Sequence, residues 1–378
     1  MIVAIPKESL PGERRVAVIP ATVKDLVKIG MQVQVQSGAG VEAHYQNADY
    51  KTAGAEIVND KNKLFQNADL ILKVAPATIE EIELLKNGSI YVSLIQTTKE
   101  LETVKRFSAK NITAFSMHLI PRTTLAQTMD ALSSQSNIAG YKAVLLGAVH
   151  LSIYMPLLMT AAGTIPPAKV LILGAGVAGL QGIATAKRLG AQVEAFDVRP
   201  VVKEQVESLG AKFVEVEPES TEGVGEGGYA KETSEEYKQK QRALIKEHIS
   251  KSDLVVTTAL IPGRPAPILI PKDTVDAMKP GSVIMDLAAE NGGNCELTNG
   301  DEIIIHQGVI IDGTLNLPAT MPTHASQLYA KNIISFIKYL FPEGMLNLDL
   351  KDEIISGALF THEGKILHVP TREALNNQ

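Results

Sequence analysis

The sequence is short of the residues that usually declare a function. It has one cysteine, Cys295, and no tryptophan, and aromatic residues make up only 4% of its 378 positions. A single thiol can form neither an internal disulfide nor a cysteine cluster, which fits a reducing compartment. The eight histidines show no ligand spacing on a shared turn or hairpin, so a metal centre is not expected. Positive charge is also scarce: the formal net charge is −6, and no Lys/Arg run is interleaved with aromatics, which argues against a nucleic-acid partner. The opening MIVAIPKESLPGERRVAVIP carries acid and base within a few residues and reads as a strand, not as a secretion signal.

One apolar tract, Ala143 to Gly163, approaches the length that spans a bilayer. Its content argues otherwise, since His150 would sit at the membrane centre and Pro156 would break the helix. It reads as part of a long connecting helix, about Gln127 to Met155, buried between domains and broken at the proline. A soluble chain follows.

What is present is a dinucleotide fingerprint. In AKVLILGAGVAGLQGIATAKRLGAQVEAFDVRP, residues 168–200, the apolar run Val170 to Leu173 leads into Gly174, Gly176 and Gly179, spaced G-x-G-x-x-G. Small and apolar residues then recur at helical spacing to Leu189. Gly174 permits the turn, Gly176 leaves room for a pyrophosphate, and Gly179 lets helix and strand pack closely; Ala175, Val177 and Ala178 fill the turn between them. A second strand, Gln192 to Phe196, ends in Asp197, about 20 residues past the glycines, where a carboxylate takes the ribose hydroxyls of NAD and repels the extra phosphate of NADP. Val198 and Arg199 follow it. Arg199 could hold that phosphate but reads better as a residue over the adenine or a solvated charge. Strand, glycines, helix and acid in order make NAD the expected cofactor.

The length suggests two domains. Short strands at Ile2 to Ile5, Val33 to Gln36, Leu70 to Val74 and Ile90 to Leu94 alternate with amphipathic segments, the pattern of a parallel sheet with helices on both faces. Further strands at Leu254 to Thr257, Val283 to Leu287 and Ile303 to Ile305 extend the nucleotide unit, and a helical stretch runs from about Thr320 through Tyr339. The fold class is α/β, with two Rossmann-like doubly wound parallel sheets. The first domain is discontinuous, 1–130 plus 320–378, and the second is 131–319. Nucleotide clefts form at such boundaries. The charged, glycine-rich stretch 218–240, PESTEGVGEGGYAKETSEEYKQK, cannot join a core and reads as a mobile loop. Its composition alone does not choose between a surface insert and a lid carrying Gly228 and Tyr229 over the nucleotide. Ala259 and Leu260, opening LIPGRPAP, stand at a strand's carboxyl end and are expected beside the nicotinamide ribose.

Four stretches together, IPKESLPGERRVAVIP, GTIPPAKVLILGAGVAGLQGIATAKRLGA, GGYAKE and DLAAENGGN (Asp286 to Asn294), resemble the superfamily of alanine dehydrogenase and the proton-translocating nicotinamide nucleotide transhydrogenase. Within it, PRTTLAQTMDALSSQSNIAGYKAV, residues 121–144, is similar to the transhydrogenase NAD-binding component. The resemblance favours the lid and matches the family's Arg-Gln-Asp loop to Arg122, Gln127 and Asp130, followed by Ser133. By their chemistry Asp130 and Ser133 can bond a carboxamide and ribose, Arg122 a ribose, phosphate or partner nucleotide, and Gln127 can bridge to a second cofactor. Taken alone, such a trio is equally a helix start with surface polars.

Residues are also missing by comparison with the alanine enzyme. Where it carries a catalytic Lys and His, this chain reads Lys73-Val74-Ala75-Pro76 and Leu94-Ile95-Gln96, and the family's Asp is replaced by Glu290. Arg15, which meets substrate there, persists and reads here as structural. Hydride exchange between two nicotinamides moves no proton at carbon, so a general acid is not needed. The resemblance therefore implies a Re/Si-specific transhydrogenase subunit that passes hydride from NADH to NADP+ on a partner's β subunit. It implies a homodimer, coupling to proton translocation by a membrane subunit, and a cytoplasmic, peripheral location on the inner face of the membrane. The alternatives are an amino-acid dehydrogenase and a non-catalytic NAD-binding regulator.

Overall fold

Among the described residues, seventeen strands and the helices between them build two parallel-rich sheets and one hairpin. The computed structural model describes residues 1–216, 235–261 and 264–377, with the side chains of 235–238 outside the description. In chain order the strands are β1 Ile2–Ile5, β2 Gln32–Gln36, β3 Glu56–Val58, β4 Leu70–Leu72, β5 Ile90–Ser93 and β6 Thr113–Ser116. The hairpin is β7 Leu158–Thr160 with β8 Gly163–Ile165. Then follow β9 Lys169–Leu173, β10 Gln192–Phe196, β11 Lys212–Phe213, β12 Leu254–Thr257, β13 Val283–Asp286, β14 Ile303–His306, β15 Val309–Asp312, β16 Leu359–His362 and β17 Lys365–Ile366. The chain divides into two compact units, Met1–Gln135 with Pro318–Gln378, and Ser136–Leu317.

The first unit holds an eight-stranded sheet in the order β17-β16-β6-β5-β4-β1-β2-β3, parallel from β6 to β3 and closed at one edge by antiparallel β16 and β17. Side chains alternate across it as strand geometry requires. Val3, Ile5, Val33, Leu72 and Val92 face a layer built by the helix Pro322–Leu340 through Tyr329, Ile333, Phe336 and Ile337. Ala4, Ile71, Tyr91 and Ala114 face Leu64, Phe65, Val104 and Phe107. Both faces are covered, so the strands read as near-continuous apolar runs.

The second unit holds a seven-stranded sheet in the order β11-β10-β9-β12-β13-β15-β14, all parallel except the edge strand β14. The order runs outward from β9 to β10 and β11, then restarts on its other side at β12. That reversal is the switch point where α/β sheets open a crevice at their carboxyl ends. One face packs Val170, Ile172, Val193 and Val256 against Val144, Ile183 and Ala186; the other packs Leu171, Leu173, Val255 and Ile284 against Ile245 and Ile249.

Two expected elements come out differently. The connecting helix is Ala131–His150, shorter at both ends than Gln127 to Met155, and Gln127–Met129 is a separate 3-10 turn. Asp130 starts the helix by capping it. Its end falls six residues before Pro156, in a stretch where the proline denies a backbone donor and biases Met155 toward extended geometry. The tract then runs through an irregular stretch, 151–157, into the β7–β8 hairpin, with Met159 74% exposed, so it does not go on as a buried helix. Among the described residues no helix is long and apolar enough to cross a membrane. The second difference lies in 218–240: residues from Glu235 belong to the helix Glu235–Lys251, so the expected loop is shorter at that end. Its EEYKQKQRALIKEHISK is rich in strong helix formers and carries a Glu247–Lys251 pair at i,i+4. The rest of that stretch, with Gly228 and Tyr229, lies outside the described residues.

Candidate functional site

The second unit places the fingerprint at the switch point. Each glycine answers a different constraint. Gly174 has φ +102°, and a Cβ on it would lie 2.5 Å from Thr258 Oγ1. A Cβ on Gly179 would lie 1.8 Å from the Gly174 carbonyl oxygen, so helix and turn touch backbone to backbone. Gly176 is different: its Cβ would meet nothing within 4 Å, and no protein atom requires glycine there. Gly176 caps the helix Val177–Arg188 without any side-chain cap bond, which leaves first-turn N–H groups for an outside acceptor. Lys187 and Arg188 complement the dipole at the far end. A further close approach was not read from the sequence: a Cβ on Gly140 would fall 2.0 Å from the Ala178 carbonyl oxygen, so the connecting helix rests directly on the start of the fingerprint helix.

Asp197 ends β10 with its side chain 6% exposed. It accepts from Ala175 N at 2.8 Å, from Arg199 N at 2.8 Å, and from Arg199 Nε and Nη2 at 2.9 Å each. Burial pushes its carboxyl up, but donation from the Arg199 side chain, its backbone and Ala175 outweighs this and holds the group below the usual carboxylate range. Arg199 is thus a fork on Asp197, with its side chain still 55% exposed. An Asp-x-Arg spacing carried that signal locally. Val177 and Val198 are exposed beside the turn.

Across the switch point, β12 runs into Thr258, whose hydroxyl donates to the Gly174 carbonyl at 3.0 Å. Ala259 is half-buried and Leu260 is 52% exposed. Glu290 receives the Asn316 backbone N–H at 3.1 Å, and Asn316 stands at positive φ.

The first unit carries the Arg-Gln-Asp loop, with Arg122 and Gln127 exposed and Asp130 and Ser133 half-buried. Arg122, Thr124, Gln127, Asp130 and Ser133 line one open pocket of about 300 Å³. Asp130 accepts from Ser133 N at 2.9 Å and Ser133 Oγ at 2.6 Å, so it is the N-cap of the connecting helix, and the helix-start reading holds for it and for Ser133. Asn332 holds this corner from the helix Pro322–Leu340, donating to the Thr128 carbonyl at 2.9 Å and accepting from Ser134 Oγ at 2.7 Å.

Elsewhere in the first unit lies a buried charge network that sequence reading missed. Lys73, fully buried, meets Glu81 at 2.6 Å and Glu8 at 3.5 Å, and Lys61 meets Glu81 at 2.9 Å. Arg15 is bidentate to Glu13, at 2.8 and 2.6 Å, and donates to Gln135 at 2.9 Å. Every member has an opposite charge in contact, the condition for burying an ion. Among the described residues no group of three or more His, Cys, Asp or Glu is arranged to hold a metal ion.

Fold and site define a class: two Rossmann-like α/β units in one chain, the second bearing a glycine fingerprint at its switch point. The chain belongs to the alanine dehydrogenase/PNT family, whose N-terminal domain description matches residues 4–139 and whose C-terminal domain description matches 143–369. It is 46% identical over 376 residues to the first segment of the NAD(P) transhydrogenase subunit alpha of Rhodospirillum rubrum, covering 97% of this chain and 98% of that one. The crystal structure of transhydrogenase from Sinorhizobium meliloti matches with a TM-score of 0.88 and 44% identity, over 97% of this chain and all of the other. An L-alanine dehydrogenase structure matches with a TM-score of 0.85 but 25% identity, over 100% and 99% of the two chains.

Proposed function

We propose that the chain is the NAD(H)-binding subunit of a proton-translocating transhydrogenase. It binds NADH and passes hydride to NADP+ held by a partner subunit. One observation carries this reading: the fingerprint turn is built to receive phosphate, with an uncapped helix N-terminus at Gly176 and empty space where a side chain would stand. Asp197 would meet the adenine ribose, with Arg199 holding its carboxylate in place. Ala175, Val177, Ala178, Val198, Ala259 and Leu260 line the rest of the nucleotide path. Arg122, Gln127, Asp130 and Ser133 orient the nicotinamide. The nicotinamide nucleotide supplies the hydride, and the protein contributes position and the exclusion of water.

Identity favours the transhydrogenase branch over the dehydrogenase, 44% against 25% for the two matched structures. The first unit supports the same reading: Lys73 is closed off by Glu81 and Glu8, and the stretches Lys73-Val74-Ala75-Pro76 and Leu94-Ile95-Gln96 stand where the alanine enzyme would carry its catalytic Lys and His. A second copy of the chain would cover the exposed Val149, Tyr154, Leu157 and Met159, giving the homodimer. An unchanged solution mass in Met159→Asp would count against that surface. Partner subunits would tie the assembly to the cytoplasmic face of a membrane and couple hydride transfer to proton movement. The decisive experiment mixes the chain and NADH with an NADP+-loaded partner domain in a stopped-flow instrument, beside pyruvate with ammonia. Rapid NADPH formation that is lost in Arg122→Ala supports the proposal. NADH oxidation by pyruvate and ammonia alone would replace it with the dehydrogenase.

A further inference from the structure

Strand β13 ends in Asp286, which is 2% exposed and bonded to five donors, none of them a cation. One oxygen accepts from Thr257 Oγ1 at 2.8 Å and Ala288 N at 3.0 Å; the other accepts from Asn294 N at 2.8 Å, Cys295 N at 3.0 Å and Thr298 Oγ1 at 2.7 Å. The carboxylate folds the chain after β13 back on itself. A Cβ on Gly293 would come 2.8 Å from Asp286 Oδ2, so glycine is needed for the loop to wrap this closely.

The loop delivers Asn294, which is fully buried. Its amide oxygen accepts from Ala259 N at 3.0 Å, and its amide nitrogen donates to the Ala259 carbonyl at 2.9 Å and the Pro267 carbonyl at 2.8 Å. One side chain thereby engages both backbone groups of Ala259, as a neighbouring strand would. Thr258, one residue earlier, is bonded to Gly174. A continuous set of bonds thus joins the glycine turn to Asp286 through Thr258, Ala259 and Asn294. Ala259 lies past β12, across the switch point from Asp197 at the end of β10, so an extended dinucleotide with its adenine ribose at Asp197 has its nicotinamide half on the Ala259 side.

We propose that Asn294 is the positioning residue for the nicotinamide half of the dinucleotide. It sets the height of Ala259 and Leu260 over the glycine turn, and Asp286 sets Asn294. The proposal rests on the reading that the second unit binds NAD(H). Asparagine is required because two carbonyls face its nitrogen. Asn294→Asp keeps the shape, deletes both donors and turns a carboxylate toward two carbonyl oxygens.

The test titrates the full chain with NADH and with ADP, and measures hydride transfer at saturating NADH. Wild type is compared with Asn294→Asp and with Thr298→Val, which removes one donor to Asp286 without touching the clamp. Asn294→Asp is expected to weaken NADH about tenfold and slow transfer about tenfold while ADP binding, which uses only the Asp197 side, stays within about twofold. Thr298→Val keeps wild-type kinetics. Equal losses of NADH and ADP binding, or wild-type kinetics in Asn294→Asp, would overturn the positioning role while leaving NAD(H) binding intact. Failure of wild type to bind NADH would overturn both. Should Asn294→Asp not fold, Asn294→Ser carries the same comparison.

Discussion

The two candidate binding regions, one in each unit, are held in opposite ways. In the second unit the fingerprint turn is a backbone object: Gly174 and Gly179 are required by contacts of main chain on main chain or on a neighbouring hydroxyl, and the groups offered to a ligand are N–H donors. In the first unit the Arg122 to Ser133 corner is a side-chain object, with Asp130 capping a helix and Asn332 pinning the turn, in a unit that also buries a lattice of charges. Backbone sites tolerate no added atom where they are packed and are indifferent to one where they are open. Side-chain sites tolerate changes of atom type in proportion to the bonds each atom makes.

The glycines give the largest expected effect. Gly179→Ala forces a Cβ to 1.8 Å from the Gly174 carbonyl oxygen, so strand and helix must separate, at a cost of about 3 kcal/mol or more. Thermal melting is expected to show a strongly destabilised second unit. Gly176→Ala meets no protein atom, so its melt stays at wild type while NADH affinity falls about tenfold as the methyl intrudes on the pyrophosphate. A Gly176→Ala chain that binds NADH normally would remove the ligand as the reason for that glycine.

This contrast also decides what the sequence could tell. The fingerprint was legible because strand, turn, helix and acid lie within about 30 consecutive residues and depend on local geometry. The helix cap at Asp130 was legible as one of two readings for the same reason. Glu8, Lys73 and Glu81 were not legible, because 65 positions separate the first two and only the pairing of β1 with β4 brings their neighbourhoods together. The hairpin at Leu158–Ile165 was misread because a continuous apolar run has no period to separate strand from helix. Asn294 lies in a stretch quoted for its resemblance, yet its partner Ala259 is 35 residues away and the clamp exists only in the fold.

The buried network gives an intermediate effect that sharpens the side-chain side of the comparison. Burial pushes the Glu8 carboxyl up to about 7, with Lys73 and the Val74 N–H opposing and Glu13 and Glu81 adding to the rise; Arg15 and Tyr329 also lie in this network. Between pH 4.5 and about 7 the folded chain keeps a proton that the unfolded chain has lost. Stability from this group therefore falls as pH rises through that window. Glu8→Gln removes the titration. The difference in unfolding free energy, wild type minus variant, is expected to drop by about 2 kcal/mol from pH 4.5 to 7 in urea titrations. Parallel curves for the two proteins would show that Glu8 stays ionised throughout.

The smallest effect on folding is expected where the two regions differ most sharply in principle. Asn is as good an N-cap as Asp, and the oxygen of Asp130→Asn can still accept from the Ser133 N–H, so stability should change by only about 0.5 kcal/mol. The variant gives up the carboxylate charge and one acceptor, the features a nicotinamide carboxamide would use. If Asp130 serves only the helix, hydride transfer follows stability and is unchanged. A tenfold slower transfer with an unmoved melting curve, roughly 1.4 kcal/mol of transition-state free energy, assigns the capping residue a second role toward the cofactor. Ser133→Ala completes the comparison: it deletes the 2.6 Å bond to Asp130 and the hydroxyl proposed to meet the cofactor, so slower transfer with an unmoved melting curve gives Ser133 a role beyond the helix start, and an unchanged rate removes it from the nicotinamide site.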